Sequence, residues 1–160
     1  MKQDLSKKSY SVKEATLKLM QFCAYRDRSQ KEVEDKLKDM RMIPEAREQI
    51  IIKLMQEDFL NEERFARSFV RGKFRIKKWG RIRIKQELKF RDISAPIIRL
   101  GMTEIDEKQY VATLYEIAEK KLNLIKETDK LKRRKKLSDH LLQKGYEAGL
   151  VYETVDSLMN

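Results

Sequence analysis

Five basic residues, Arg64, Arg67, Arg71, Arg75 and Lys78, recur at spacings of 3, 4, 4 and 3. On a helix advancing roughly 100° per residue they fall within about 80° of one another, as one cationic stripe. Arg81, Lys85 and Lys89, spaced by four, make a second stripe, and Lys77 adjoins the end of the first. The chemistry this pattern supports is anion recognition, in which guanidinium and ammonium groups meet phosphate or carboxylate oxygens. Like charges this close repel by a few tenths of a kcal/mol per pair, and an acidic partner relieves that repulsion. The pattern does not separate DNA phosphates from protein carboxylates, and contact with either or both stays open. Trp79, at the end of the first stripe, fits packing beside a turn, the commoner fate of a lone Trp, or stacking on an exposed base. These ten residues are the candidate partner-binding set, with Arg67, Arg71 and Arg75 expected to carry binding without carrying the fold.

Nothing comparable points to catalysis. His140 follows Ser138-Asp139, but neighbours on a helix point about 100° apart, so adjacency makes no triad. There is one His and one Cys; Cys23 lies on the Leu19 face and reads as core, and no multi-thiolate metal site can form. Neither GxxxxGK[ST] nor GxGxxG occurs, so nucleotide chemistry lacks its cradle. No catalytic residue, metal or cofactor is expected, and the chain reads as a binding protein. A second basic cluster, Lys130 and Lys132 to Lys136, is flanked by Glu119, Glu127, Asp129 and Asp139 and reads as local ion pairing.

The placement of charge favours a working surface. The formal net charge is +11, with 39% of residues charged. Between Arg64 and Arg91 stand twelve bases and one acid, Glu87; the rest of the chain holds 25 of the 37 bases and 25 of the 26 acids. Charge serving only solubility would be spread more evenly. No apolar run approaches the roughly 18 residues that span a bilayer, and the opening MKQDLSKKSYSVKE lacks the apolar core of a secretory signal. A cytoplasmic protein without membrane contact is expected.

The elements that must hold these residues are helical. Five Gly and two Pro leave little turn chemistry for a sheet, while Lys, Glu, Leu and Arg favour helix. Ser11 with Glu14, and Ser29 with Glu32, fit capping boxes. Pro44, Asn61 before Glu62-Glu63, Ser94-Ala95-Pro96 and Thr103 to Glu107 mark further starts. The reading is nine helices, near 12–26, 30–40, 45–56, 62–78, 81–91, 95–101, 107–127, 130–144 and 147–158. Leu37, Leu88 and Leu141 recur at intervals of 51 and 53, each followed five residues later by Met42, Ile93 or Tyr146. Ala15, Leu19 and Cys23 precede Ala66, Val70 and Phe74 by 51, and Ala118, Leu122 and Ile125 match them after a one-residue slip. These intervals predict an all-α fold of three tandem three-helix repeats, and the high share of charged residues suits an elongated body. The divisions are a tail at 1–11 and repeats at 12–57, 58–105 and 106–160. Units this small should share interfaces, and no heptad seam asks for more than a monomer.

The stretch from Leu60 to Ile93 resembles the central signature of RecX proteins, regulators of the RecA recombinase. Arg64-Phe65-Ala66, Phe69-Val70-Arg71, Gly80, Ile84 and Glu87-Leu88 carry that resemblance. Tyr25 to Ser29 and Glu34 to Leu37 resemble the family's first repeat, and Leu141 to Tyr146 its third. The family's usual pair of Asp is here Asn61 and Glu62. Its usual Gly after the middle helix is Arg41 and Asp92 in the first two units, so those helix ends are expected to close differently. The resemblance implies that the three repeats form a curved body, a crescent, and that it associates with the RecA–DNA filament, single-stranded DNA included, limiting filament growth, ATP hydrolysis, strand exchange and co-protease function. Two other readings share parts of the pattern, a helix-turn-helix DNA-binding regulator and a helical-repeat adaptor without DNA contact.

Overall fold

The computed structural model describes residues 9–160, so most of the tail expected over 1–11 lies outside the described residues. Among the described residues there are nine α-helices and no strand. They run in order as α1 (Val12–Tyr25), α2 (Gln30–Asp39), α3 (Pro44–Gln56), α4 (Glu62–Arg75), α5 (Arg81–Phe90), α6 (Ala95–Met102), α7 (Glu107–Leu124), α8 (Lys130–Lys144) and α9 (Ala148–Met159). They form three three-helix repeats, α1–α3, α4–α6 and α7–α9. Ser11 makes a full capping box with Glu14. Ser29 makes half of one: its side chain accepts from the Glu32 amide, but the Glu32 carboxylate pairs with Arg26 instead of reaching back. Ser94 makes no cap bond, and α7 is capped by Asp106, whose carboxylate accepts from the Gln109 amide.

The repeat is built on one position. Leu37, Leu88 and Leu141 are fully buried, and each accepts through its carbonyl a hydrogen bond from the amide five residues on, at Met42, Ile93 and Tyr146. That closure needs the intervening residue in left-handed backbone. Gly145 takes it at φ 102, and Arg41 and Asp92 take it at φ 58. The expectation of a different closure at Arg41 and Asp92 is therefore wrong. The carbonyls left over at a helix end and the buried side chain at 42 or 93 outweigh the penalty of a side chain at positive φ, about 1–2 kcal/mol.

Two further expectations need correction. Helix α4 stops at Arg75, three residues short of the expected Lys78, which turns to φ 59. The third repeat draws the chain out there, with the Tyr146 hydroxyl donating to the Lys78 carbonyl at 2.9 Å and Lys144 Nζ to that of Lys77 at 3.3 Å. In α7 the counterparts of Ala15, Leu19 and Cys23 are Tyr110, Leu114 and Ala118, not Ala118, Leu122 and Ile125. The extra length of α7 misplaced the match, and a Tyr stands where the other repeats have Ala because its hydroxyl serves the second repeat.

The core is divided unevenly. Residues from Ala15 to Leu60 form one apolar cluster, and the second and third repeats share another that runs from Phe65 to Val155. Replacing Leu88, 0% exposed, with Ala should cost about 2–5 kcal/mol. Replacing exposed Lys89 with Ala should stay within about 0.5 kcal/mol. Chemical denaturation of the two variants measures the difference, and equal midpoints would contradict these helix faces.

Candidate binding surface on the second repeat

The first stripe divides into pinned and unpinned cations. Arg64 lies against the first repeat, with Nε 2.7 Å from Asp27 Oδ1 and Nη1 3.1 Å from Asp58 Oδ2. Its Nη2 donates to the carbonyls of Asp58 and Phe59, holding a turn in which Asp58 sits at φ 59. Arg67 bonds Glu63 at 3.1 Å, Glu104 at 3.3 Å and the Thr103 hydroxyl at 3.1 Å, and Arg71 meets Glu104 at 3.0 Å. Arg67 and Arg71 thus clamp the turn between α6 and α7 to α4. Both are engaged within the chain, although at part-exposed positions where such pairs contribute little stability. Arg75 is exposed and pairs with no described carboxylate.

The second stripe opens with a pinned residue. The Arg81 guanidinium pairs with Glu107 at 2.7 Å and with Glu147, and it lies 3.9 Å from the Tyr110 ring centroid. Tyr110 donates to Glu147 and accepts from the Arg81 amide. Burial pushes the Tyr110 hydroxyl well above its ordinary pKa, with Glu147 as acceptor adding to the shift. Burial opposes the Glu147 carboxylate as well, but the bonds from Tyr110 and Arg81 outweigh it and hold the pKa below the usual value. Lys85 and Lys89 share an exposed face of α5 with Ile82, Gln86 and Phe90, and no described carboxylate pairs with either lysine.

The α5 start is completed by the third repeat. Gly80, its N-cap, offers no side chain, so the amide of Gly80 donates to the Lys144 carbonyl at 2.9 Å and that of Ile82 to the Gly145 carbonyl at 3.0 Å. A Cβ on Gly80 would lie 2.3 Å from the Gly145 carbonyl carbon, and one on Gly145 would lie 2.3 Å from Arg83 Cβ. Trp79, beside this crossing, packs against the shared core. Lys73 and Arg83 stand over its ring at 4.9 and 4.1 Å from the centroid. The stripes left out both of these cations. The four-residue step from Trp79 to Arg83 was a usable signal for one of them.

Of the twelve bases between Arg64 and Arg91, five form ion pairs: Arg64, Arg67, Arg71, Arg81 and Arg91. Lys73, Arg75, Lys77, Lys78, Arg83, Lys85 and Lys89 pair with no described carboxylate. In the Lys130–Lys136 cluster, Lys135 pairs with Asp139 at 2.6 Å and Lys136 with Glu127 at 3.8 Å, the local pairing expected, whereas Arg134 pairs with the more distant Asp156 and Lys130, Lys132 and Arg133 pair with no described carboxylate. Cys23 is buried and burial raises its thiol pKa, away from the reactive thiolate. Among the described residues no cluster of His, Cys, Asp or Glu could hold a metal, and no helix is long and apolar enough to cross a membrane.

Comparison with known proteins places this geometry in context. Residues 61–102 match the model of the second three-helix domain of RecX, and residues 107–155 that of the third. The chain is 32% identical over 137 residues to the regulatory protein RecX of Clostridium acetobutylicum, covering 83% of this chain and 63% of the length of that relative. It is 29% identical over 138 residues to the regulatory protein RecX of Prosthecochloris aestuarii, covering 86% of this chain and 89% of the relative. The crystal structure of RecX from Lactobacillus salivarius superposes with a TM-score of 0.82 at 25% identity, covering 92% of this chain and 96% of that one.

Two measurements test the assignment of pinned and unpinned residues. Arg71→Glu sets a second carboxylate beside Glu104 and should destabilise by on the order of 1 kcal/mol, whereas Arg75→Glu should stay within about 0.5 kcal/mol. Urea midpoints that order the other way would contradict the clamp. Because the folded-state pKa of Glu147 is depressed, its stabilisation is complete above the unfolded value of about 4.3 and is lost as pH falls through the folded value. The melting-temperature gap between wild type and Glu147→Gln should be constant from about pH 6 to 8 and shrink below about pH 4.

Proposed function

The chain belongs to the RecX family, and from that premise we propose that it binds the RecA–DNA filament and restrains it. In this reading the protein limits filament growth and so lowers ATP hydrolysis, strand exchange and co-protease activity. It acts by occupancy, as a cytoplasmic monomer that performs no bond chemistry of its own. The observation that carries the reading is the set of seven cations from Lys73 to Lys89 that meet no described carboxylate. Unpaired cations repel one another, and an elongated polyanion is the partner that relieves them together. Lys- and Arg-rich faces suit phosphate or carboxylate contact better than the reading of base edges, which favours a filament over a base-sequence operator.

The test is the triple variant Arg75→Glu, Lys85→Glu, Lys89→Glu, which spares every ion pair described above. It should keep wild-type helicity by circular dichroism and lose both co-sedimentation with recombinase filaments and inhibition of their ATP hydrolysis. A salt titration assigns the contact. Against single-stranded DNA the logarithm of affinity should fall with the logarithm of salt by about 0.7 per phosphate neutralised, and the triple variant should flatten that slope by about two. A folded triple variant that inhibits as well as wild type overturns the reading.

A further inference from the structure

The first repeat contains a cleft that neither stripe touches. It has a volume of about 450 Å³ and lies along α1 and α2, lined by Tyr10, Phe22 and Tyr25 with Lys18, Arg28 and Lys36, and by Gln21 and Met40. Three aromatic rings and three cations face one space, and none of the lining residues is acidic. Lys18, Phe22 and Tyr25 follow at steps of 4 and 3, so they share a face of α1, apart from the Ala15–Leu19–Cys23 face that enters the core.

Parts of the cleft are rigid. Arg28 is 9% exposed, and its guanidinium lies 3.6 Å from the Phe22 ring centroid while Nε donates to the Phe22 carbonyl at 2.9 Å. Glu32 stands 3.6 Å from Arg28 but is engaged more closely by Arg26, at 2.8 Å. Lys36 Nζ stands 5.8 Å from the Phe22 centroid, and Lys18 Nζ 5.6 Å from that of Tyr10. Tyr25, by contrast, is 84% exposed at the last turn of α1, a large flat ring in water. An open aromatic ring held beside the Arg28–Phe22 stack, with lysines lining the same cleft, suits a flat π-system joined to an anionic group.

We propose that this cleft binds unpaired nucleotides, stacking a base on the open ring of Tyr25 while Lys18 and Lys36 meet the flanking phosphates. The ligand is single-stranded because a duplex buries the base faces that such a platform needs. Gln21, at the cleft edge, offers both a donor and an acceptor to the rim of a base. The site stands apart from the second-repeat surface and needs no recombinase.

The probe is a fifteen-residue thymidine oligonucleotide, with and without 5-iodouracil. It is bound to the full chain and to the chain carrying Arg75→Glu, Lys85→Glu and Lys89→Glu, so that loss of the second-repeat contact can be read separately. Photocrosslinks mapped by mass spectrometry should fall on Tyr25, Phe22 or Tyr10 in both proteins. Tyr25→Ala should weaken binding, read by fluorescence anisotropy, about fivefold or more, the size of one lost stack, and Tyr25→Phe should restore it. Crosslinks confined to the second repeat, or a Tyr25→Ala variant that binds as wild type does, would overturn the proposal. So would equal displacement by polyglutamate of matched charge, which marks a surface for acidic protein.

Discussion

The first amides of α5 have no side-chain cap, since Gly80 supplies none, and acceptors in the third repeat meet them instead. Three consecutive donors, on Gly80, Arg81 and Ile82, are satisfied by the Lys144 carbonyl, the Tyr110 hydroxyl and the Gly145 carbonyl. In return Tyr146 and Lys144 donate to the carbonyls of Lys78 and Lys77, where α4 has already ended. A buried donor without a partner costs about 1–3 kcal/mol, so helix ends this close are stable only together. The approach is possible because no side chain stands at 80 or 145. Everything exposed on α5, Lys85 and Lys89 included, is aimed by this exchange. So is Trp79, at the corner between the two helices.

The other junction uses the same idea with different chemistry. Gln30 is the first residue of α2 as Arg81 is of α5; the Arg81 amide is met by Tyr110 of the following repeat, and the backbone of Gln30 favours the charge on Glu62, the first residue of α4. Tyr110 brings a ring that joins the shared core, in contact with Phe74 and Tyr146. Glu62 brings a charge into a half-buried place, where burial raises its pKa and one oxygen finds no hydrogen bond within the described residues. The first repeat keeps a core of its own, and Arg64 with Asp27 spans the seam. The second and third repeats are thus joined by apolar packing and backbone bonds, and the first and second by polar groups.

Helix starts and the repeat were legible because they rest on local signals: a Ser or Asn oxygen for an amide, and a leucine every fifty-odd residues at the same place before a left-handed closure. The left-handed residues at Arg41 and Asp92 were not legible, since propensity points to Gly there and tertiary burial overrules it. The stripe on α4 was correct as periodicity and incomplete as function. Spacing identifies the face on which a side chain lies, but not what stands opposite that face. Glu104, thirty-seven residues from Arg67, and Asp27, thirty-seven before Arg64, decide which arginines are engaged. The cleft on the first repeat escaped notice because its parts lie on two helices and no single periodicity contains them.

That long-range pairing also changes the meaning of the charge distribution. By sequence, the net positive charge belongs to one stretch of 28 residues between balanced flanks. In the fold, Asp27 of the first repeat, Asp58 of the turn that follows it, and Glu107 and Glu147 of the third lean onto arginines of the second. Acids committed there no longer offset bases at home. Lys18 and Lys36 in the first repeat and Lys130 and Lys132 in the third accordingly meet no described carboxylate. Cations that meet no described carboxylate therefore stand on all three repeats. Charges screened within about 10 Å at ordinary salt act separately on a compact anion, which reaches only one group of them at a time. The pairing that holds the repeats together is thus the same pairing that spreads their charge.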